Sequence, residues 1–297
     1  MAYASNDYKV LAYNCLLSLH RVGVRNAGIL TLDDETVQFF KERDIPAYNV
    51  AKITKGIPED VQLKNSIVPA DLDLSRLRKP HWASRWNSGS TVRWLHWMLR
   101  HYLALRVLKE GYGVYQTDVD MVFVNNPYDW LDLEADLEGQ DQSWPRAHAL
   151  NLGIGHVAAT NGGILHWETT NNMMRYLGDD PQSIENLKLM DPLIEQVGTI
   201  DSKPCHKNFP SVICEWKNTP MVRYRKWAVS MLPMGYKTNW EYPADGNIAD
   251  QAIIGIHVHA TPTDYQQGKT KLYAEWCKKH RLWFLPEADE VMLLGLK

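Results

Sequence analysis

Two aspartates separated by one valine, Asp118 and Asp120, interrupt an otherwise apolar stretch, "GYGVYQTDVDMVFVNNP", over residues 111–127. In an extended segment, residues two apart share a face. The two carboxylates would then project together, about 6–7 Å apart at the backbone. Like charges that close repel unless something positive sits between them. A divalent cation such as Mg²⁺ or Mn²⁺ satisfies both. Mg²⁺ typically uses one or two carboxylates and completes its shell with water and substrate phosphates. The apolar run ends at the pair, so the carboxylates fall at the carboxyl end of a strand, where open α/β sheets bind ligands. The plainer reading makes them turn residues in a strand-to-strand bend. Strand-forming residues on both sides, Val114–Thr117 and Met121–Val124, favour the metal.

A second group lies in "IGIHVHATPTDYQQGKTK". His257 and His259 share a face by the same period of two. Imidazole is an accepted ligand for Mn²⁺, though later metals suit it better. Gly268, Lys269 and Lys271 follow in a loop leading into a helix. A glycine lets backbone approach a phosphate closely, and a lysine there is a point charge for it. Alone, this segment reads as one core histidine, one surface histidine and a solvated basic helix start. Beside an acidic pair elsewhere, a metal–diphosphate site is the better account.

The elements that must carry these groups follow from periodicity. "DYKVLAYNCLLSLHRVG" has apolar residues near helical spacing, with Asp7 as expected N-cap and Gly23 as stop. "AGILTLDD" reads as a buried strand, "DETVQFFKERD" as a helix and "AYNV" as a short strand. This strand–helix alternation marks an α/β protein with a mostly parallel sheet. Residues 52–90 are irregular and long for a plain connection, which suggests a functional loop or flap holding Trp82 and Trp86. "TVRWLHWMLRHYLALRVLKEG" is the strongest helix, with Trp94, Trp97, Met98, Leu105 and Leu108 along one side and Gly111 as cap. Further on, "NGGILHWE" reads as a strand, "TTNNMMRYLGDD" as a helix, "KWAVSMLP" and "AIIGIHVHA" as strands, and "GKTKLYAEWCKKHRLW" as a closing helix.

Composition bounds the function. The chain has 297 residues, 45% hydrophobic and 23% charged, ample for a core. A net charge of -3 gives no global reason to expect nucleic acid. No apolar run is long enough for a membrane span, and the first residues lack a signal-peptide pattern. The chain as given is expected to be soluble, with its compartment open between a Golgi-luminal catalytic domain freed of its anchor and a cytoplasmic enzyme. None of the four cysteines forms a CxxC; Cys15 is expected in the core, and Cys205 with Cys214 as a possible disulfide.

Six stretches carry a family resemblance: "SNDYKVLAYNCLLSLHRVGV", "LTLDDETVQFFKERDIP", "LKEGYGVYQTDVDMVFVNNP", "EADLEGQD", "TNGGILHW" and "IHVHATPTDYQQGK". On these the chain resembles a nucleotide-diphospho-sugar transferase of the GT-A fold. It is most similar to the broad nucleotid-trans group that includes retaining glycosyltransferase family 77, and more distantly to the glycogenin-like family 8. The DxD block is the specific part. The resemblance implies one GT-A domain over residues 1–297. Residues 1–127 would form a nucleotide-binding half ending in the DxD, and 128–297 an acceptor-binding half, with a small second sheet after the motif. It implies Asp118 and Asp120 on a Mn²⁺ or Mg²⁺ and the donor, with His259 as third ligand and His257 as reserve. Lys269 or Lys271, after Gly268, would hold the diphosphate. Arg93 would face the donor, and Asn6, Tyr8 and Asp33 would hold base and ribose. Asn161 and Gly162 would line the sugar and acceptor side. Asp191 falls where the family often has an Asp-Gln beside the reacting sugar. Here Pro192 replaces the glutamine, while Asp250-Gln251 keeps the dipeptide later in the chain. Asp141 reads as a surface or capping acid.

The implied activity is transfer of a sugar from a UDP- or GDP-linked donor to a hydroxyl of a glycan or glycoprotein, with retention suggested by family 77. A glycoside hydrolase would need two carboxyls across a sugar, which neighbours on one strand face hardly supply. A non-catalytic carbohydrate-binding module, using Trp82, Trp86 and Trp144 as platforms, would need no cation and no nucleotide.

Overall fold

The computed structural model describes residues 1–53, 91–131, 135–141, 150–177, 214–215, 223–227, 230–233, 255–259 and 269–294. The proposed flap, Asp191, Gly268 and Cys205 lie outside them, as do the side chains of Trp94, Trp97 and Cys214.

Three short parallel strands open the fold: β1 (Ala2–Tyr3), β2 (Ile29–Thr31) and β3 (Ala47–Asn49). Helices α1 (Lys9–Arg21) and α2 (Asp34–Lys41) connect them. Helix α3 (Thr91–Lys109) then leads through Gly111, whose φ of +88° suits a residue without a side chain, into β4 (Val114–Thr117). The remaining strands of the large sheet are β6 (Leu137–Asp141), β7 (Leu150–Val157), β8 (Cys214–Glu215) and β9 (Arg223–Trp227). Its order is β3-β2-β1-β4-β7-β6-β9-β8, with β7 antiparallel to both neighbours and β8 antiparallel to β9. Strand β5 (Met121–Phe123) leaves this sheet. It joins β10 (Ser230–Pro233) and β11 (Gly255–His259) in a small second one, in the order β10-β11-β5. The α/β architecture with a second sheet after the DxD is the one expected.

Alternation along β4 separates two layers. Tyr115 faces a core built with Leu11, Leu16, Phe40, Phe123 and Ile256, to which α5 (Lys269–Lys279) adds Tyr273 and Cys277. Val114 faces a second core, where Leu108 of α3 and Trp167 of α4 (Asn161–Leu177) meet Leu137 and Val157. The chain order runs outward from β1 on one side and from β4 on the other. The gap between their carboxyl ends is therefore a topological switch point, where such sheets bind ligands.

Four local expectations are corrected. Residues 161–177 form one helix, not a strand followed by a helix. Thr160 starts it by accepting from the Gly163 N–H at 3.0 Å. The buried positions Gly163, His166, Trp167, Thr170 and Asn171 keep helical spacing, but three are polar, which hid the period. "KWAVSMLP" is divided between β9 in the large sheet and β10 in the small one. The N-cap of α1 is Tyr8, because Asn6–Tyr8 form a 3-10 turn ahead of it. Finally, Asp118 and Asp120 are not in an extended segment, since β4 ends at Thr117 and β5 begins at Met121.

Candidate active site

Three residues, 118–120, carry the chain from one sheet to the other, and they turn because β4 and β5 belong to different sheets. The turn is held from below by α1. Ser18 Oγ accepts from the Phe123 N–H at 2.9 Å and donates to the Cys15 carbonyl at 2.6 Å. Thr117 Oγ1 donates to the Asp118 carbonyl at 3.0 Å, and Cys15 Sγ lies 3.8 Å from the same oxygen. Burial raises the Cys15 thiol pKa well above its ordinary value, with the Asp120 charge adding to the effect, so it stays a protonated core residue.

The small sheet brings a histidine to this turn. In the antiparallel pairing of β11 with β5, His257 opposes Met121, the residue after Asp120. A side chain on Gly255 would lie 2.7 Å from the Val122 carbonyl, so the close approach of the two strands requires that glycine. His257 Nε2 is 3.2 Å from Asp120 Oδ1, with both residues buried. One ligand atom each from Asp118, Asp120 and His257 lie within 4.8 Å of one another. Asp118 is the open side of the group, its side chain 40% exposed.

Helix α3 adds a cation. Arg100 Nη1 is 3.2 Å from Asp118 Oδ1, the arginine is only 5% exposed, and its Nε has no hydrogen-bond partner among the described residues. Sequence reasoning passed over Arg100 and chose Arg93, one helical heptad earlier, whose side chain lies outside the described residues. The signal in the sequence is an arginine next in the chain to apolar Leu99, Tyr102 and Leu103, all buried here, since a buried arginine requires a counter-charge.

The donor set fits a hard divalent cation. Two carboxylates and one arginine leave a single net negative charge when His257 is neutral. Around a cation with bonds of roughly 2.0–2.2 Å, ligand atoms sit about 3–4.4 Å apart, so a slight contraction closes the three onto one ion. An imidazole beside two carboxylates favours Mn²⁺ over Mg²⁺, which prefers an all-oxygen shell. His259, the favoured third ligand from the sequence, lies two residues past the last β11–β5 pair. Its backbone pairs with Pro233, and its side chain is outside the described residues.

The other expected positions are spread around the switch point. Asn6, just past β1, donates from Nδ2 to Glu35 at 3.2 Å and accepts from Lys9 Nζ at 2.6 Å. Tyr8 packs partly buried against the core. Asp33 follows β2 as the N-cap of α2. Its Oδ1 accepts from the Thr36 N–H at 2.6 Å and its Oδ2 from Thr31 Oγ1 at 3.0 Å, so both oxygens are engaged locally. Thr270 Oγ1, 3.4 Å from the Asp7 carbonyl, sets the start of α5 beside the turn after β1. Lys269 opens that helix, and Lys271 is exposed with Glu275 4.0 Å away. Asn161 is exposed at the start of α4. Gly162 is required by the protein itself, because a side chain there would lie 2.5 Å from Asp136 Oδ2. Thr160 donates its hydroxyl to that same Asp136 carboxylate. Asp141 ends β6, opposite Leu150. Beyond the Thr117–Ile154 pair, β7 continues past the end of β4, and its Asn151 pairs with Gln140 of β6.

No described helix is long and apolar enough to cross a membrane. Residues 23–196, more than half of the chain, match the family model described as nucleotide-diphospho-sugar transferase. The arabinosyltransferase RRA1 of Arabidopsis thaliana is 28% identical over 136 residues, which cover 46% of this chain and 27% of that protein. The family match begins just past α1 and takes in β2, β3, β4, the aspartate turn and α4, and on that extent the protein belongs to the nucleotide-diphospho-sugar transferase family.

Proposed function

We propose that the protein is a Mn²⁺-dependent glycosyltransferase. It would move a sugar from a UDP- or GDP-linked donor to a hydroxyl of a glycan or glycoprotein, with retention of configuration, and stand nearest to family 77. The supporting observation is the meeting of Asp118, Asp120, His257 and Arg100 at the carboxyl end of β4, on the switch point of a nucleotide-sugar family fold. The resemblance to an arabinosyltransferase makes a nucleotide-linked pentose the first donor to test.

Asp118, Asp120 and His257 would hold the cation, which would offset the negative charge that the diphosphate gains as the sugar–phosphate bond breaks. Arg100 supplies a second positive charge at the same place. Its guanidinium stays ionised, and its buried setting strengthens the interaction. Asn6 and Tyr8 stand at the carboxyl end of β1, across the switch point from the aspartates, and would contact the nucleoside. Lys269 or Lys271, at the start of α5, would add charge for the diphosphate, since that helix begins beside the turn holding Asn6. Asp191 would stand beside the reacting sugar.

Thermal melts with UDP or GDP, each with and without Mn²⁺, test the reading, followed by hydrolysis of a panel of nucleotide sugars. The expected result is stabilisation that needs both nucleotide and Mn²⁺, and slow release of free sugar from one donor. Melts indifferent to every nucleotide would sink the proposal.

A further inference from the structure

We propose that Arg100 is the stand-in counter-ion of the carboxylate pair, which makes cation binding depend on the donor diphosphate. The inference rests on the metal–nucleotide reading above and concerns how the two ligands bind together.

Arg100 is 5% exposed, contacts Asp118 Oδ1 through Nη1 at 3.2 Å, and leaves Nε without a hydrogen-bond partner among the described residues. Asp120 is engaged instead by His257 Nε2. The like charges of the turn are therefore already partly balanced by a group that cannot deprotonate. A cation arriving alone must draw on the Asp118 carboxylate that serves Arg100. It turns one net negative charge at the site into one net positive charge. It also sets two positive centres side by side in a setting where little water reaches the guanidinium. A diphosphate reverses the balance. Its oxygens supply negative charge to both cation and guanidinium. Arg100 thus weakens binding of the cation alone and strengthens binding of the nucleotide diphosphate, so each ligand favours the other.

This assigns opposite signs to the two effects of one substitution, which a merely structural arginine would not produce. Binding of Mn²⁺ alone is read from the paramagnetic resonance signal of the free ion, for the wild type, Arg100→Met and Arg100→Gln. Binding of UDP and of GDP at saturating Mn²⁺ is read by calorimetry. In both neutral variants Mn²⁺ alone is expected to bind about tenfold tighter or more, and the preferred nucleotide about tenfold weaker or more. The glutamine variant keeps a hydrogen-bond donor toward Asp118 and stands in should the methionine variant not fold. Arg100→Lys keeps the charge and should stay within a few-fold of the wild type for Mn²⁺ alone. Weakening of both ligands, or an unchanged Mn²⁺ affinity in the neutral variants, overturns the inference while leaving the metal site standing. A wild type that takes up neither Mn²⁺ nor nucleotide overturns the metal–nucleotide reading, and the inference with it.

Discussion

Replacing Asp120 by asparagine removes one charge from the candidate metal site while keeping the side chain's shape. Asp120 is 7% exposed and lies 3.2 Å from His257 Nε2, a contact that an asparagine oxygen can still accept. The fold should therefore persist. Without metal, relief of the repulsion from Asp118 should leave stability unchanged or slightly raised. Metal binding should suffer. A unit charge pair at 4 Å is worth about 4 kcal/mol at an effective dielectric constant of 20, and the amide dipole retains part of it. A loss of about 2.7 kcal/mol corresponds to about 100-fold weaker Mn²⁺ binding. At a Mn²⁺ concentration 100 times the wild-type dissociation constant, the metal stabilises the protein by about 2.7 kcal/mol. The same concentration stabilises the variant by about 0.4 kcal/mol. The Mn²⁺-induced rise in melting temperature, measured with nucleotide present at equal concentration in both proteins, should fall from about 5 °C to about 1 °C. An undiminished rise in the variant would show that Asp120 does not hold the cation.

Two further outcomes follow from the surroundings of the site. Ser18→Ala leaves the Phe123 N–H without its acceptor in the core, which should cost about 1–3 kcal/mol in urea unfolding and weaken Mn²⁺ binding by loosening the aspartate turn. Intact metal affinity would show that α1 does not position the carboxylates. Burial pulls the His156 pKa down to about 4, although Glu138 Oε1 lies 3.9 Å from its Nδ1. The unfolded chain then binds the proton first as pH falls, so stability is full above about pH 6.5 and declines toward pH 4, by roughly 3 kcal/mol. His156→Gln should flatten that slope in denaturant melts across the window, and an unchanged slope would assign the acid sensitivity elsewhere.

Much of the framework is legible locally. The apolar run into Thr117 is broken by two charges, and such a break at a strand's end marks a ligand edge whether the next residues extend or turn. Helices α2 and α5 show because their buried positions are mostly apolar at helical spacing, and α1 and α3 because long, mostly apolar runs without glycine or proline are bounded by Gly23 and Gly111. Helix α4 hides because polar His166, Thr170 and Asn171 occupy its buried face against α3. There Trp167 Nε1–H donates to the His101 carbonyl at 3.1 Å and Asn171 Nδ2 lies 3.4 Å from the same oxygen. A polar side chain buried by a partner helix has the same local signature as one facing water.

By itself, the sequence determined the α/β class, the position of the aspartate pair at a strand's end and the presence of a histidine strand far downstream. Tertiary structure decided which groups meet. It turned the Asp118–Asp120 segment between two sheets and set Met121 opposite His257. It joined Asp120 to a side chain 137 positions away and delivered Arg100, 18 positions upstream, to Asp118. Periodicity reports which side of an element is apolar, because burial acts on each element alone. The pairing of charges depends on strand order and register, which are set by how all the elements pack together.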